Sequence, residues 1–406
     1  MRAGPPRPGS APRSARGRAL QALALQVLVA LALAGLACLA VTNASEKLAR
    51  QGITAGFGFL AQAAGFDIGQ RLIPYAAATS TYLDAFWVGL LNTLLVSGLA
   101  IGLATLIGFA VGIARLSPNW LLRTLAATYV EALRNLPLLL QLLVWYVAVR
   151  VMLPEARDPA AWGGAYLSQR GLVLPRPEFV GAAWLVPAAF VAGLVGARAW
   201  MRRRARRDAA GAEPGPVAAP APVLALGLPA LALVLGLPAL AWIGLGLAGH
   251  PVGIAWPSPG PFGPEGGLGI LPEFAALLLG LSTYTAAFIA EIVRAGLNSV
   301  ARGQGEAAAA LGLSRAKTLR LVTIPQAMRV IVPPLTSQYL NVTKNSSLAV
   351  LIGYPDLVHV FMGTVLNQTN QAVEVVAITM AVYLTLSLGL AALMNAYNRR
   401  AAPVTR

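Results

Sequence analysis

At 406 residues, 57% of them hydrophobic and only 11% charged, the chain is far poorer in charge than a soluble globule, in which about a quarter of residues are charged. A polytopic membrane protein is the class that fits. The net charge of +16 sits on arginines in short segments beside apolar runs rather than along one face, which argues against a nucleic-acid partner.

Residues 1–19 carry Arg2, Arg7, Arg13, Arg16 and Arg18 among Pro, Gly and Ser, a composition that cannot bury a core and is expected to stay disordered. Leu20 to Val41 form an apolar run of spanning length. A cleaved signal peptide would also begin this way, but the run exceeds the roughly 7–15 residues of a signal core. Cys38, the only cysteine, lies inside it, so the chain has no disulfide framework. A connecting segment, 42–85, leads to spans predicted at Phe86 to Ala114 and Leu125 to Val149. Within 151–271 two more spans are read, Val180 to Trp200 and Val223 to Leu247, joined by an Ala/Pro/Gly-rich connector at 209–222. The repeat of Gly-Leu-Pro-Ala-Leu at 227–231 and 236–240 is read as two proline kinks. Spans at Pro272 to Val293, Val330 to Ile352 and Val375 to Asn395 complete an all-α reading of about eight, with 398–406 as a tail.

The arginines orient the chain. Segments holding the N-terminal tail, Arg115 and Arg123, the cluster Arg202, Arg203, Arg204, Arg206 and Arg207, the loop with Arg302, Arg315, Lys317 and Arg320, and the end with Arg399 and Arg400 fall on one side. The positive-inside bias puts that side, and both termini, in the cytoplasm.

The loop at 300–326 stands out. Glu306 to Leu311 is alanine-rich and helix-forming, Gly312 can adopt the left-handed conformation that ends a helix, and Ser314 can cap the next one. That second helix sets Arg315, Lys317 and Arg320 against Leu313, Leu319, Leu321 and Val322, and is expected to end at Pro325. The same pattern also fits an ordinary amphipathic surface helix.

Glu306-Ala307-Ala308, then Gly312, Val322, Ile324 and Pro325 have a spacing that resembles the EAA loop of permease subunits in bacterial ATP-binding cassette importers; Val322 and Ile324 replace the usual isoleucine and leucine. Gly89 to Leu94, Tyr129 to Pro137, Ile324 to Arg329 and Lys344 to Leu348 are similar to the polar amino acid permease family, and the long chain with Gly56-Phe57-Gly58-Phe59-Leu60 is most similar to permeases of general L-amino acid importers. The resemblance implies a five-span permease core in 86–150 and 272–397, interrupted by an insertion at 151–271 and preceded by an extra helix at 20–41 and a periplasmic segment at 42–85. It implies that Glu306, Ala307, Ala308, Gly312, Ile324 and Pro325 couple the chain to a separate cytoplasmic ATPase subunit. It also implies a second, non-identical permease subunit, a periplasmic amino-acid-binding protein, and a place among the lipids of the inner membrane.

The residues agree with part of this. No phosphate-binding Gly-x-x-x-x-Gly-Lys-Ser/Thr occurs, so ATP is expected on the partner subunit and no cofactor on this chain. His250 and His359 stand far apart, and no metal centre or enzyme activity is expected.

Candidates for the substrate pathway are Asn92, Glu131, Arg134, Asn135, Lys344, Asn345 and Ser346. Each has a plainer reading: Glu131 and Arg134, like Glu291 and Arg294, are spaced i, i+3 and could simply pair. Lys344 is costly in an apolar span and needs a partner, water or a substrate carboxylate. A secondary, ion-coupled amino acid transporter is the rival reading; the scarcity of intramembrane acids and of any internal repeat speaks against it.

Overall fold

The computed structural model describes residues 56–178, 181–210, 228–249, 253–261 and 263–401, with part of the stretch 21–43. The expected tail at 1–19 and most of the connector at 209–222 lie outside the described residues. Those described within the first predicted span are helical and exposed, Cys38 among them.

The chain is mostly helical. Among the described residues three helices are long and apolar enough to cross a membrane, or four if the bent pair of helices described below counts as one span. The first, α1 (Tyr82–Ala114), starts at a capping box: Thr81 Oγ1 accepts the Asp84 amide at 3.3 Å, and the Thr81 amide donates to Asp84 Oδ2 at 2.7 Å. At 33 residues it is about 50 Å long and outreaches the roughly 30 Å hydrocarbon core.

The predicted span Leu125 to Val149 is not continuous. Two helices, α2 (Trp120–Asn135) and α3 (Leu138–Met152), meet at a bend of 108°. Proline 137 explains the break: its ring disfavours a helical residue before it, and Leu136 is extended (φ −96°, ψ 134°). Gln141, 5% exposed, closes the corner by donating Nε2 to the carbonyls of Leu133 at 2.8 Å and Leu136 at 3.0 Å, which the end of α2 leaves without helical partners.

The insertion is more than two helices. Strands β1 (Ala160–Trp162), β2 (Ala165–Ser168), β3 (Gly171–Leu174) and β4 (Arg176–Glu178) precede α4 (Leu185–Ala210) and α5 (Leu228–Leu247); β5 (Gly253–Ala255), β6 (Ser258–Gly260), β7 (Gly263–Glu265) and β8 (Leu268–Ile270) follow. All pairings are antiparallel, in the order β1-β2-β3-β8, with β4-β5 and β6-β7 as two-stranded ribbons. Leu172 faces Ile270 and Pro177 faces Ile254, so the entry and exit of the insertion are stitched together. The apolar parts of its helices, Leu185–Met201 and Ala232–Leu247, are shorter than the three long spans. They pack on each other around Ala183, Val186 and Leu245.

The second half of the core begins with α6 (Pro272–Asn298), followed by α7 (Arg302–Ala310), α8 (Ile324–Asn345) and α9 (Ala372–Ala401). Helix α6 runs beside α1 in the same direction. Glycines make the approach possible: a Cβ on Gly108 would lie 2.6 Å from Ile289 Cβ, and one on Gly112 would lie 2.8 Å from both the Ala290 oxygen and Val293 Cβ. Ala104, Ile289, Val293, Ala327, Ile331 and Leu335 then fuse α1, α6 and α8 into one packed block. The predicted span to Ile352 ends early, because α8 stops at Asn345 and gives way to a tighter 3-10 stretch, Ser346–Ile352.

Candidate functional site

The residues singled out for coupling lie together at one end of the helical block, and the substrate-pathway candidates lie apart from them on several elements. At one end is the segment between α6 and α8. Its alanine-rich helix α7 closes in a Schellman turn: the Gly312 amide donates to the Ala309 oxygen at 2.9 Å and the Leu313 amide to the Ala308 oxygen at 3.1 Å. Gly312 takes φ +74°, a conformation costly for any residue with a Cβ. Ala308 is buried, whereas Glu306, Ala307 and Gly312 are exposed. The element is held to α8 by Gln326 Nε2 donating to Gln304 Oε1 at 3.1 Å.

Beyond the turn the structure corrects the expectation of a second helix ending at Pro325. Ser314 occupies the N-cap position without a side-chain bond, a helical turn runs over Arg315–Thr318, a wider π-helical stretch follows at Leu319–Thr323, and Pro325 sits inside the first turn of α8. Proline is tolerated there because first-turn amides need no helical acceptor. Leu311 is 81% exposed, Leu321 61% and Ile324 37%. Large apolar side chains are exposed along many of the helices, as expected of faces that meet lipid, but these three stand on a segment that also carries Arg315, Lys317 and Arg320.

The transmembrane candidates do not form one cluster. Asn92 is fully buried and donates Nδ2 to the carbonyls of Gln70 at 2.8 Å and Pro355 at 2.9 Å. Ser346 is also buried and donates to the Thr343 oxygen at 2.8 Å. Glu131 and Asn135 instead line a shallow open groove with Thr128, Ala132 and Leu136 on α2. Arg134 does not pair with Glu131; its guanidinium lies over the Phe288 ring, 5.3 Å from the centroid. Lys344 is exposed, as are Ser337 and Asn341 on the same face of α8, and Asn345 is half-buried beside them. Spacings of four and three residues align Ser337, Asn341 and Lys344 in a polar stripe that nothing among the described residues covers.

Sequence reading missed a polar centre at the end opposite the coupling segment. Asp356, fully buried, accepts the His359 amide at 2.8 Å and the Tyr383 hydroxyl at 3.2 Å. Thr93 accepts the Leu357 amide at 3.0 Å, and Tyr354 donates to the Asn92 oxygen at 3.2 Å. Burial pushes the Asp356 carboxyl up to about 7, while the amides of His359 and Val358 and the Tyr383 hydroxyl pull it down. The signal was present in the aspartate three residues before His359, an N-cap spacing, but it lay outside any predicted span.

The i, i+3 pair Glu291–Arg294 forms as its spacing suggests, and Arg115, just past the end of α1, donates to the same carboxylate. Among the described residues no group of three or more His, Cys, Asp or Glu side chains could hold a metal.

The family described as binding-protein-dependent transport system inner membrane component matches residues 217–403. The chain is 48% identical over 392 residues to the putative amino-acid ABC transporter permease protein YhdX of Escherichia coli K12, with 95% of each chain covered. It is 44% identical over 382 residues to the general L-amino acid transport system permease protein AapQ of Rhizobium johnstonii, covering 94% of this chain and 92% of the relative. It is also 40% identical over 417 residues to the glutamate/glutamine/aspartate/asparagine transport system permease protein BztB of Rhodobacter capsulatus, covering 93% of each. With the predicted coupling motif lying on an exposed helix–turn element, the chain belongs to the family of amino-acid ABC transporter permeases, inner-membrane components of binding-protein-dependent transport systems.

Proposed function

We propose that this chain is one of two permease subunits through which L-amino acids, delivered by a periplasmic binding protein, pass into the cytoplasm at the expense of ATP hydrolysed by a separate subunit. The observation that carries the reading is the segment around Gly312: a locally closed, exposed turn that carries the coupling motif on a basic segment, in a member of a family whose permeases work with an ATP-binding partner. Glu306, Ala307, Ala308, Gly312, Ile324 and Pro325 form the docking element on this reading, with both termini in the cytoplasm, the orientation that the positive-inside bias of the sequence supports.

The polar stripe Ser337, Asn341 and Lys344 supports the second subunit. Lipid does not tolerate such a face, so protein or a water-filled path must cover it. With Asn345 at its edge, it is the surface of this chain best suited to meet a zwitterionic substrate, Lys344 meeting its carboxylate. Glu131 and Asn135 lie in the α2 groove, on the same reading a second polar wall. Asn92, Arg134 and Ser346 fit a supporting role better, since each is already engaged within the chain.

The test is uptake of labelled L-amino acids into proteoliposomes holding the chain with the second permease, ATPase and binding protein encoded with it. Uptake that needs enclosed ATP, stops with vanadate and survives collapse of ion gradients supports the reading. Uptake driven by an ion gradient without ATP would establish a secondary transporter instead.

A further inference from the structure

Helices α1 and α6 are separated in sequence by the whole insertion, yet three features tie them and α8 together near the coupling segment. Gly108 and Gly112 bring the two backbones together. Gly296, one turn further along α6, admits α8 equally closely: a Cβ there would lie 2.3 Å from Ile331 Cγ1. The third feature is Glu291, whose carboxylate is held from α1 by Arg115 NH1 and from its own helix by Arg294, with Arg294 Nε at 3.2 Å from Oε2. The side chains are 14% (Arg115), 26% (Glu291) and 35% (Arg294) exposed. Partly desolvated, these ion pairs are screened less than surface pairs, and without the carboxylate two guanidinium groups would face each other uncompensated.

The coupling segment leaves α6 after Asn298 and returns at Ile324 as α8, so both of its ends enter the block that Ala104, Ile289, Val293, Ala327 and Ile331 hold together. The interhelical bond from Arg115 fastens the end of α1 to that block, two turns of α6 before the coupling segment. We propose that Glu291 is a positioning residue for energy coupling: by tying Arg115 to α6 it makes α1, α6 and α8 move as one body when the ATPase displaces the coupling segment. Without it, displacement of α6 is absorbed between α1 and α6 and hydrolysis is no longer converted into transport. This inference rests on the importer reading above.

The test measures ATP hydrolysis and amino-acid uptake in the same proteoliposomes, made with the complete transporter. With E291Q, the ATPase subunit is expected to remain bound in the same ratio and hydrolysis to stay within about two-fold, while uptake per ATP falls about ten-fold. R115Q should behave likewise, because it breaks the same bond between helices. R294Q, which leaves that bond in place, should keep uptake per ATP within about two-fold, and the swapped pair R115E with E291R should recover most of the loss. Equal loss of uptake and hydrolysis in E291Q, unchanged uptake per ATP in E291Q, or a loss in R294Q as large as in R115Q would overturn the proposal. Failure of the importer reading looks different: the unaltered transporter would then show no ATP-dependent uptake at all.

Discussion

The two ends of the helical block are built on opposite principles. At the Asn92 end, polar groups are buried and spent on the chain's own backbone: Asn92 serves Gln70 and Pro355, Thr93 serves Leu357, and Asp356 gathers His359 and Tyr383. At the Gly312 end the turn closes its own hydrogen bonds, but Leu311, Leu321 and Ile324 face outward. One end is tied together mainly within the chain, although Gln70 Oε1, Asn92 Oδ1 and His359 Nδ1 are buried there without a partner; the other is shaped to meet another protein. The hydrogen bonds at the first end are worth about 1 kcal/mol each, so its role is to fix the helices, whereas the second end depends on what covers it.

The contrast breaks most severely if the helices that connect the two ends are forced apart. Gly112→Leu places its Cβ 2.8 Å from backbone and side chain of α6 and is expected to cost about 3 kcal/mol or more. Size-exclusion of detergent-solubilised protein should show little folded material. Gly102→Leu, where a Cβ would meet nothing within 4 Å, should elute like the unaltered chain.

Gly312→Asp should separate the ends instead of destroying both. Its left-handed backbone costs a residue with a Cβ about 1–2 kcal/mol, and that strain falls on the exposed turn alone. Melting of the helical block is expected to change little, while a pull-down from solubilised membranes loses the ATPase subunit and keeps the second permease. Retention of the ATPase would mean that the turn is not the docking element.

Lys344→Ala touches neither end's architecture, since Lys344 is exposed on α8. Uptake should fall several-fold with assembly intact; unchanged uptake would remove Lys344 from the pathway. The smallest effect is expected from Asp356→Asn. The carboxyl is raised in the folded chain from its ordinary 3.8 to about 7, so between those values the folded state holds a proton that the unfolded state has lost. Stability is therefore greatest at the acid side and declines as pH rises through about 7. The unaltered protein should lose more melting temperature between pH 5 and 8 than the variant, and parallel curves would show that Asp356 does not titrate there.

What could be read in the sequence followed from periodicity and from residues with unusual backbones. The coupling turn was visible because only a few residues take positive φ, and Gly312 followed an alanine-rich run. The bend after α2 was signalled by Asn135-Leu136-Pro137, but the long apolar run around it favoured a single span; the identity of Gln141 as the group that closes the corner depends on geometry. The strands of the insertion were missed because they are three or four residues long and apolar patterning at that length is indistinct. Pro325 misled for a different reason: a proline ends a helix when it falls in the interior but starts one when it falls in the first turn, and only the structure says which turn it occupies. Lys344 was recognised as a costly charge in an apolar span, but its alignment with Asn341 and Ser337 on an exposed face required the course of α8 to be known.

The wide separation of α1 from α6 has a consequence for how the protein is made. Between Ala114 and Pro272 the ribosome must add 157 residues (115–271), which at about 5–20 residues per second takes about 8–31 s. During that interval α1 is complete, and Gly108 and Gly112 present a bare backbone groove to any newly inserted helix. Helices α2 and α3 emerge first, and in the finished chain both pack chiefly on α6; the insertion follows them. Gly193 sets its helix α4 against α5, where a Cβ would lie 2.5 Å from the Leu233 oxygen, so the two apolar segments can satisfy each other as soon as they are synthesised. A hairpin that closes on itself leaves the groove on α1 vacant until α6 arrives, and the order of translation then protects the pairing that the finished permease needs.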